Sequence, residues 1–230
     1  VRPGDVISYL DMCAREGLAL QRGMNFRASP THSVVLMSVR PGAPYQDQVR
    51  DAGRTLIYEG HDAPRSAATP DPKSADQPLL TDNGGLTQNG RFYMAAEACR
   101  NHEQPAELVR VYEKVRGGVW VYTGLFRLVD AWQEESAGRT VFRFRLELTD
   151  HEIDEAPADP PDIEHTRMIP TAVKLDVWRR DRGRCVICGS EENLHFDHII
   201  PFSRGGSSLT AANVQLLCAR HNLEKRDRIE

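Results

Sequence analysis

Apolar and polar positions divide the chain into a long β-rich part and a short carboxyl-terminal part. Pro3-Gly-Asp5 followed by Val6, Ile7 and Leu10 has the pattern of a capped amphipathic helix reaching about Arg15, with Gly17 as its stop. Ser33–Val39 is a β-branched run that predicts a buried strand, and Thr55–Tyr58 predicts another, closed by Gly60. Between them, Arg40-Pro-Gly-Ala-Pro-Tyr45-Gln-Asp47 reads as a loop. Residues 61–90 are rich in Pro, Asp, Ser and Gly and predict a long exposed loop. Phe92–Cys99 has good helix formers. Glu107–Val115 and Val119–Tyr122 flank Gly117-Gly118 as a hairpin. Thr140–Leu148 alternates, with Phe142, Phe144, Leu146 and Leu148 on one face and Arg143, Arg145 and Glu147 on the other.

The acidic, proline-rich run Glu155–Asp162 is too poor in apolar residues to pack and reads as a linker. Thr171–Asp181 is helical by pattern, with Val173, Leu175 and Trp178 as its apolar positions. The expected organisation is a mostly β domain with two helices at 1–152, a linker at 153–170 and a small domain at 171–230.

Composition narrows this picture. The 230 residues, 40% hydrophobic and 27% charged, suit one large soluble domain or two. No apolar run approaches the ~18 residues of a membrane helix, and the amino terminus lacks a signal-peptide pattern. Five cysteines, three of them among the last fifty residues, argue against a disulfide framework. A reduced, cytoplasmic protein with no membrane partner is expected. The net charge of −4 is uneven: residues 1–170 carry 19 basic and 25 acidic side chains, residues 171–230 ten and eight. The carboxyl-terminal part is therefore the less repulsive one for a polyanion.

That part carries two superimposed sets of chemistry-bearing residues. Cys185-x2-Cys188 and Cys218-x2-His221 have the ligand types and paired spacing of a tetrahedral Zn2+ site. Four protein ligands leave no open position, so the site reads as structural, a staple for a domain with a thin core. The second set is Asp197-His198, Asn213 and Asn222. Phosphodiester hydrolysis needs a base for water and a cation for the charge developing on phosphate. His198 suits the base, and Asp197 offers the hard oxygen that Mg2+ prefers. Asn222 can add a carbonyl ligand, Asn213 can orient the His198 ring, and Lys225 can reach phosphate. Neighbours on a strand face opposite ways, so Asp197 and His198 share one site only at an irregular strand end, which Pro201 permits.

Cys-x2-Cys … Asp197-His-Ile-Ile-Pro201 … Asn213-Val-Gln-Leu-Leu-Cys218-x2-His221-Asn222-x2-Lys225 resembles the HNH endonuclease motif over about residues 171–230. The resemblance implies a ββα-metal fold, with His198 as general base, Asp197 and Asn222 on a Mg2+ or Mn2+ ion, and Asn213 positioning His198. Two positions depart from the common pattern: His221 stands where cysteine is usual, and Asn222 where histidine is usual.

Pro41-Gly-Ala-Pro-Tyr45-Gln-Asp47 … Gly53-Arg-Thr-Leu-Ile-Tyr58-Glu-Gly60-His61 resembles the SRA (YDG) domain, which extrudes a modified cytosine into a pocket. Val119-Trp-Val-Tyr122-Thr-Gly124 resembles its naming strand, with Thr123 where aspartate is usual. The resemblance implies a pocket of Tyr45, Asp47 and Tyr58, the tyrosines stacking on the base and an aspartate, Asp47 or Asp51, accepting from the cytosine amino group. Together the two resemblances imply an α+β chain: an SRA-like curved β-barrel or sheet domain with flanking helices, and a small zinc-stapled HNH domain. The combination looks like a modification-dependent restriction endonuclease. It would act on double-stranded DNA bearing 5-methylcytosine, with 5-hydroxymethylcytosine as the further candidate. One HNH site severs one strand, so a double-strand break needs two protomers or two sequential nicks, and a homodimer is expected. The rival readings are an HNH nuclease of mobile-element or toxin type whose amino-terminal domain reads something other than modified cytosine, and a DNA-binding module that does not cut.

Overall fold

The structure, a computed structural model, describes residues 2–20, 23–67, 69–149, 169–201, 204 and 206–225. The linker expected at 153–170 lies outside the described residues except for Ile169 and Pro170. The first elements are β1 (Val6–Ile7), α1 (Tyr9–Glu16), β2 (Met24–Asn25), β3 (Ser33–Met37), β4 (Gln48–Arg50) and β5 (Thr55–Glu59). They are followed by α2 (Gln88–Arg100), β6 (Glu107–Arg116), β7 (Val119–Ser136) and β8 (Arg139–Leu148). The carboxyl-terminal unit holds α3 (Thr171–Arg180), β9 (Leu194–His198), β10 (Val214–Cys218) and α4 (Ala219–Lys225).

The architecture is α+β. Among the described residues, β1 to β8 form one sheet in the order β2-β3-β6-β7-β8-β5-β4, with β1 also paired to β7. The β3–β6 pair is parallel and the other neighbours are antiparallel. The long β7 pairs with β6 over 119–128 and with β8 over 126–136. Register shifts at Val111/Tyr112 and Leu128/Asp130 mark bulges, which bend strands and deepen their twist. The β6–β7 turn falls on Gly117-Gly118 as expected, Gly118 taking φ 74° at little steric cost. Helix α2 packs Phe92 and Ala96 against Val109, Val111, Phe126 and Phe144. Helix α1 packs Met12 beside Tyr112 and Tyr122.

Four local expectations are corrected. Val6 and Ile7 pair with Val121 and Trp120, so the first helix begins only at Tyr9, where Ser8 Oγ accepts from Asp11 N at 3.1 Å. Strand β7 continues to Ser136 because both its flanks find partners. Residues 61–90 are not uniformly exposed. Gln77 is buried, donating to Gly60 O at 2.7 Å and accepting from Phe142 N at 2.8 Å, and Thr87 caps α2 from residue 88. Arg143, on the polar side of β8, is 2% exposed. It is held by Glu59 at 3.1 Å and Glu134 at 2.8 Å, since a buried charge needs a partner.

In the carboxyl-terminal unit β9 and β10 form an antiparallel pair running from Leu194–Cys218 to His198–Val214. Val173 and Val177 of α3 join Phe196 and Leu216 in an apolar cluster that also takes in Val115 and Val121 of the large sheet. The small unit is thus seated on the large one. No helix among the described residues is long and apolar enough to cross a membrane.

Candidate DNA-reading cavity and metal-binding sites

A cavity of about 750 Å³ opens between the loop after β3, the end of β5 and the β6–β7 hairpin. Tyr45, Asp47 and Tyr58 all line it, whereas Asp51 is exposed in a left-handed turn with φ 51°. Both carboxylate oxygens of Asp47 are engaged: Oδ2 accepts from Ser38 N at 2.9 Å and Oδ1 from Glu59 N at 3.0 Å. Burial pushes the Asp47 carboxyl up to about 7, further than those two N–H donors and the Arg143 charge draw it back, and the Glu59 charge adds to the rise. Near neutrality it exists in both protonation states.

The aromatic walls differ from expectation. Tyr45 stacks on His61, with ring centroids 5.6 Å apart and planes 19° apart. The Lys73 ammonium caps its ring at 3.9 Å and donates to Pro44 O. Tyr58 is 2% exposed and its ring packs in the core. Its hydroxyl contacts His61 Nε2 at 3.2 Å and Leu36 O at 3.4 Å, and burial holds that phenol well above its ordinary range. The second aromatic face beside Tyr45 is therefore His61, not Tyr58. Gly23 lies against both groups: a Cβ there would stand 2.7 Å from His61 Nε2 and from Tyr58 Oη. Behind the loop, Glu59 Oε2 accepts from Gln46 N at 2.7 Å and Arg143 Nη1 donates to Gln46 O at 3.1 Å. Arg139 ties Glu59 at 3.3 Å to Asp62 at 2.7 Å.

In the carboxyl-terminal unit the ligand atoms of Cys185, Cys188, Cys218 and His221 lie within 4.8 Å of one another. Cys188 Sγ and Cys218 Sγ are 3.8 Å apart, and His221 Nδ1 is 3.3 Å from both Cys185 Sγ and Cys218 Sγ. A tetrahedron with Zn–S of about 2.3 Å has S–S edges of about 3.8 Å, so the donor set and its spacing fit zinc. Burial raises the Cys185 thiol, but N–H groups of Cys188, Cys218 and Ile187 and the His221 ring outweigh it and bring it to about 6.

Asp197 and His198 close β9, and α4 returns over them. Asp197 Oδ2 meets Lys225 Nζ at 2.8 Å, and Lys225 also donates to His198 O at 2.5 Å. Lys225, expected to reach phosphate, is instead 1% exposed and spends its charge on Asp197. His198 Nε2 lies 2.9 Å from Ser208 Oγ. Asn213, expected to orient the His198 ring, holds the turn after it: its Oδ1 accepts from Ile200 N at 2.9 Å and its Nδ2 donates to Ile200 O and Ser207 O, both at 3.1 Å. Gly206 packs so closely there that a Cβ would stand 1.8 Å from Ile200 O. Asn222 is half-buried on α4, three residues before Lys225. His195 bonds Asp5 Oδ1 through Nδ1 at 2.7 Å.

Sequence reasoning missed His61, Ser208 and the Glu59–Arg143 pair. His61 closes the quoted amino-terminal motif and Ser208 falls in the gap between Pro201 and Asn213, and their polar side chains were the available signal. Nothing local marks a buried Arg143, because its partners come from other strands.

The SAD/SRA domain family model matches residues 1–152, and the HNH endonuclease model matches residues 185–228. Comparison with curated proteins returns no match. Among solved structures, the SUVH5 SRA domain in complex with hemi-methylated CG DNA is 24% identical, covering 69% of this chain and 94% of that one, with a TM-score of 0.44. The same domain bound to fully hydroxymethylated CG DNA is 23% identical, covering 69% and 95%, with a TM-score of 0.46. KRYPTONITE in complex with mCHH DNA, an H3(1-15) peptide and SAH is 18% identical, covering 71% and 34%, with a TM-score of 0.42.

Proposed function

Because the chain belongs to the SAD/SRA domain family and carries an HNH endonuclease domain, which makes it a DNA endonuclease, we propose that it cuts double-stranded DNA in response to 5-methylcytosine. The observation that carries this reading is the cavity with an aromatic pair, Tyr45 and His61, at its wall and the Asp47 carboxyl within it. A base can be read there only after leaving the stack. Its exocyclic amino group would donate to Asp47, and the neutral form of Asp47 would also donate to the ring nitrogen beside it. Against the ionised, acceptor-only form of Asp47, thymine offers a carbonyl in place of that amino group and would be rejected.

For the cut, His198 is the base. His198 Nε2 lies 2.9 Å from Ser208 Oγ, and the tautomer in which Nε2–H donates to that hydroxyl places the basic lone pair on Nδ1. Asp197 and Asn222 are the oxygen donors for one Mg2+ or Mn2+ ion, which when bound would offset the negative charge growing on the phosphate. Asn213 keeps the turn after His198 in place, and Lys225 positions Asp197 and the His198 carbonyl. Cys185, Cys188, Cys218 and His221 hold structural Zn2+. Each chain has one such centre, so cutting both strands calls for a homodimer or two successive nicks. The test is digestion, with Mg2+ or Mn2+, of duplexes identical but for cytosine, 5-methylcytosine or 5-hydroxymethylcytosine. Cleavage confined to modified duplexes is expected; equal cleavage of all three removes the reading.

A further inference from the structure

The cavity and the nuclease centre share one structural element. Along the β6–β7 hairpin Lys114, Gly118 and Trp120 line the cavity. The alternate residues Val115, Val119 and Val121 pack instead into the cluster with Ile169, Val173, Val177 and Phe196. Successive strand residues face opposite ways, so a single two-stranded wall has the base cavity on one side and the nuclease unit on the other. On the nuclease side, Glu113 is 3% exposed; it meets Lys174 Nζ at 2.6 Å and accepts from Thr171 Oγ1. Lys174 is 2% exposed. At the rim of the same seam, Asp5 Oδ1 meets His195 Nδ1 at 2.7 Å, and Phe196 N donates to Gly4 O at 3.3 Å. His195 stands two residues before Asp197 on β9, so this second contact grips the strand that carries the catalytic pair.

An apolar seam alone tolerates sliding, because contact area is non-directional. A buried ion pair with one hydrogen-bonding partner has a single register, since any slip leaves a charge unpaired out of water. We propose that Glu113, together with Asp5, is a positioning residue that sets the distance along the DNA between the extruded cytosine and the scissile phosphate. Neither residue touches the base or the reacting atoms. The inference rests on the modified-cytosine reading above and deepens it: the reader holds its nuclease at a built-in spacing.

The experiment maps cut ends at nucleotide resolution on a long duplex bearing a single 5-methylcytosine, using the full-length chain. The wild type is expected to cut at one dominant spacing. Glu113→Ala and Asp5→Ala are expected to bind the methylated duplex as the wild type does and to spread their cuts. Thr149 and Ile169 are twenty residues apart; twenty residues of flexible chain have a root-mean-square span of about 25 Å, or roughly seven base pairs, which sets the scale of the spread and not its limit. Glu113→Gln, which keeps an acceptor for Thr171, should fall between. Asp5→Ala sits at a part-exposed position and remains a fair test should Glu113→Ala fail to fold. Variants that cut at the wild-type spacing with wild-type sharpness overturn the proposal, as does a wild type with no preferred spacing. Equal cutting of the unmethylated control would instead remove the functional reading itself, so the two failures are distinguishable.

Discussion

Lys225 Nζ lies 2.8 Å from Asp197 Oδ2 with its own side chain 1% exposed, so an ammonium is already seated on the carboxylate assigned to the divalent cation. With Asp197 as the proposed ligand of that cation, the two positive charges would compete for one carboxylate.

Lys225→Met should therefore tighten the apparent affinity for Mg2+ or Mn2+ severalfold, because Oδ2 loses its competing charge. Removing one partner of a buried pair should also lower stability by about 2–4 kcal/mol, somewhat eased by the part-exposed Asp197. Metal titration calorimetry and thermal unfolding read the two effects separately.

His198→Ala should leave binding of methylated duplex intact and slow cleavage by roughly 100- to 10,000-fold, the usual worth of a general base. Ser208→Ala should slow it less, because the ring is retained and only its tautomer and orientation are released. Single-turnover cleavage beside a binding assay checks both.

The Asp47 carboxyl, raised to about 7 from 3.8, gives a signed pH prediction. The folded state holds the proton more tightly than the unfolded one, so this group's contribution to stability falls as pH rises from about 4 to about 7. Asp47→Asn, a permanent mimic of the neutral form, should gain stability over wild type as pH increases across that window. Modified-cytosine binding should likewise weaken above pH 7 in the wild type and stay flat in Asp47→Asn, while Asp47→Ala loses it throughout. Melting curves and binding isotherms between pH 5 and 8 decide this.

Arg143→Ala would leave the buried Glu59 with Arg139 as its one remaining guanidinium partner and release Gln46 O. A loss of about 3–5 kcal/mol is expected, with binding of methylated duplex falling because Tyr45 and Asp47 flank the freed residue. Cleavage in the carboxyl-terminal unit then fails only through lost recruitment, which excess DNA should partly restore.

Cys185→Ser, or prolonged chelation, should lower the zinc content from one per chain and collapse the β9–β10 unit, since a core this small depends on its metal. Elemental analysis with cleavage assays tests it.

The Cys185–Cys188–Cys218–His221 cluster, the place of Asp197 and His198 at a strand end and most strands were legible in the sequence because their signals are local. Two residues between cysteines, an Asp-His pair before Ile-Ile-Pro and an alternation along 140–148 each depend on a few neighbours in the chain. Only the tertiary structure decided what those residues touch. It turned Arg143 inward onto Glu59, made His61 the partner of Tyr45, and gave Lys225 to Asp197 rather than to phosphate. It also locked Lys174 onto Glu113, sixty-one residues earlier. Burial and charge pairing depend on groups distant in sequence, and no local pattern records which of them will meet.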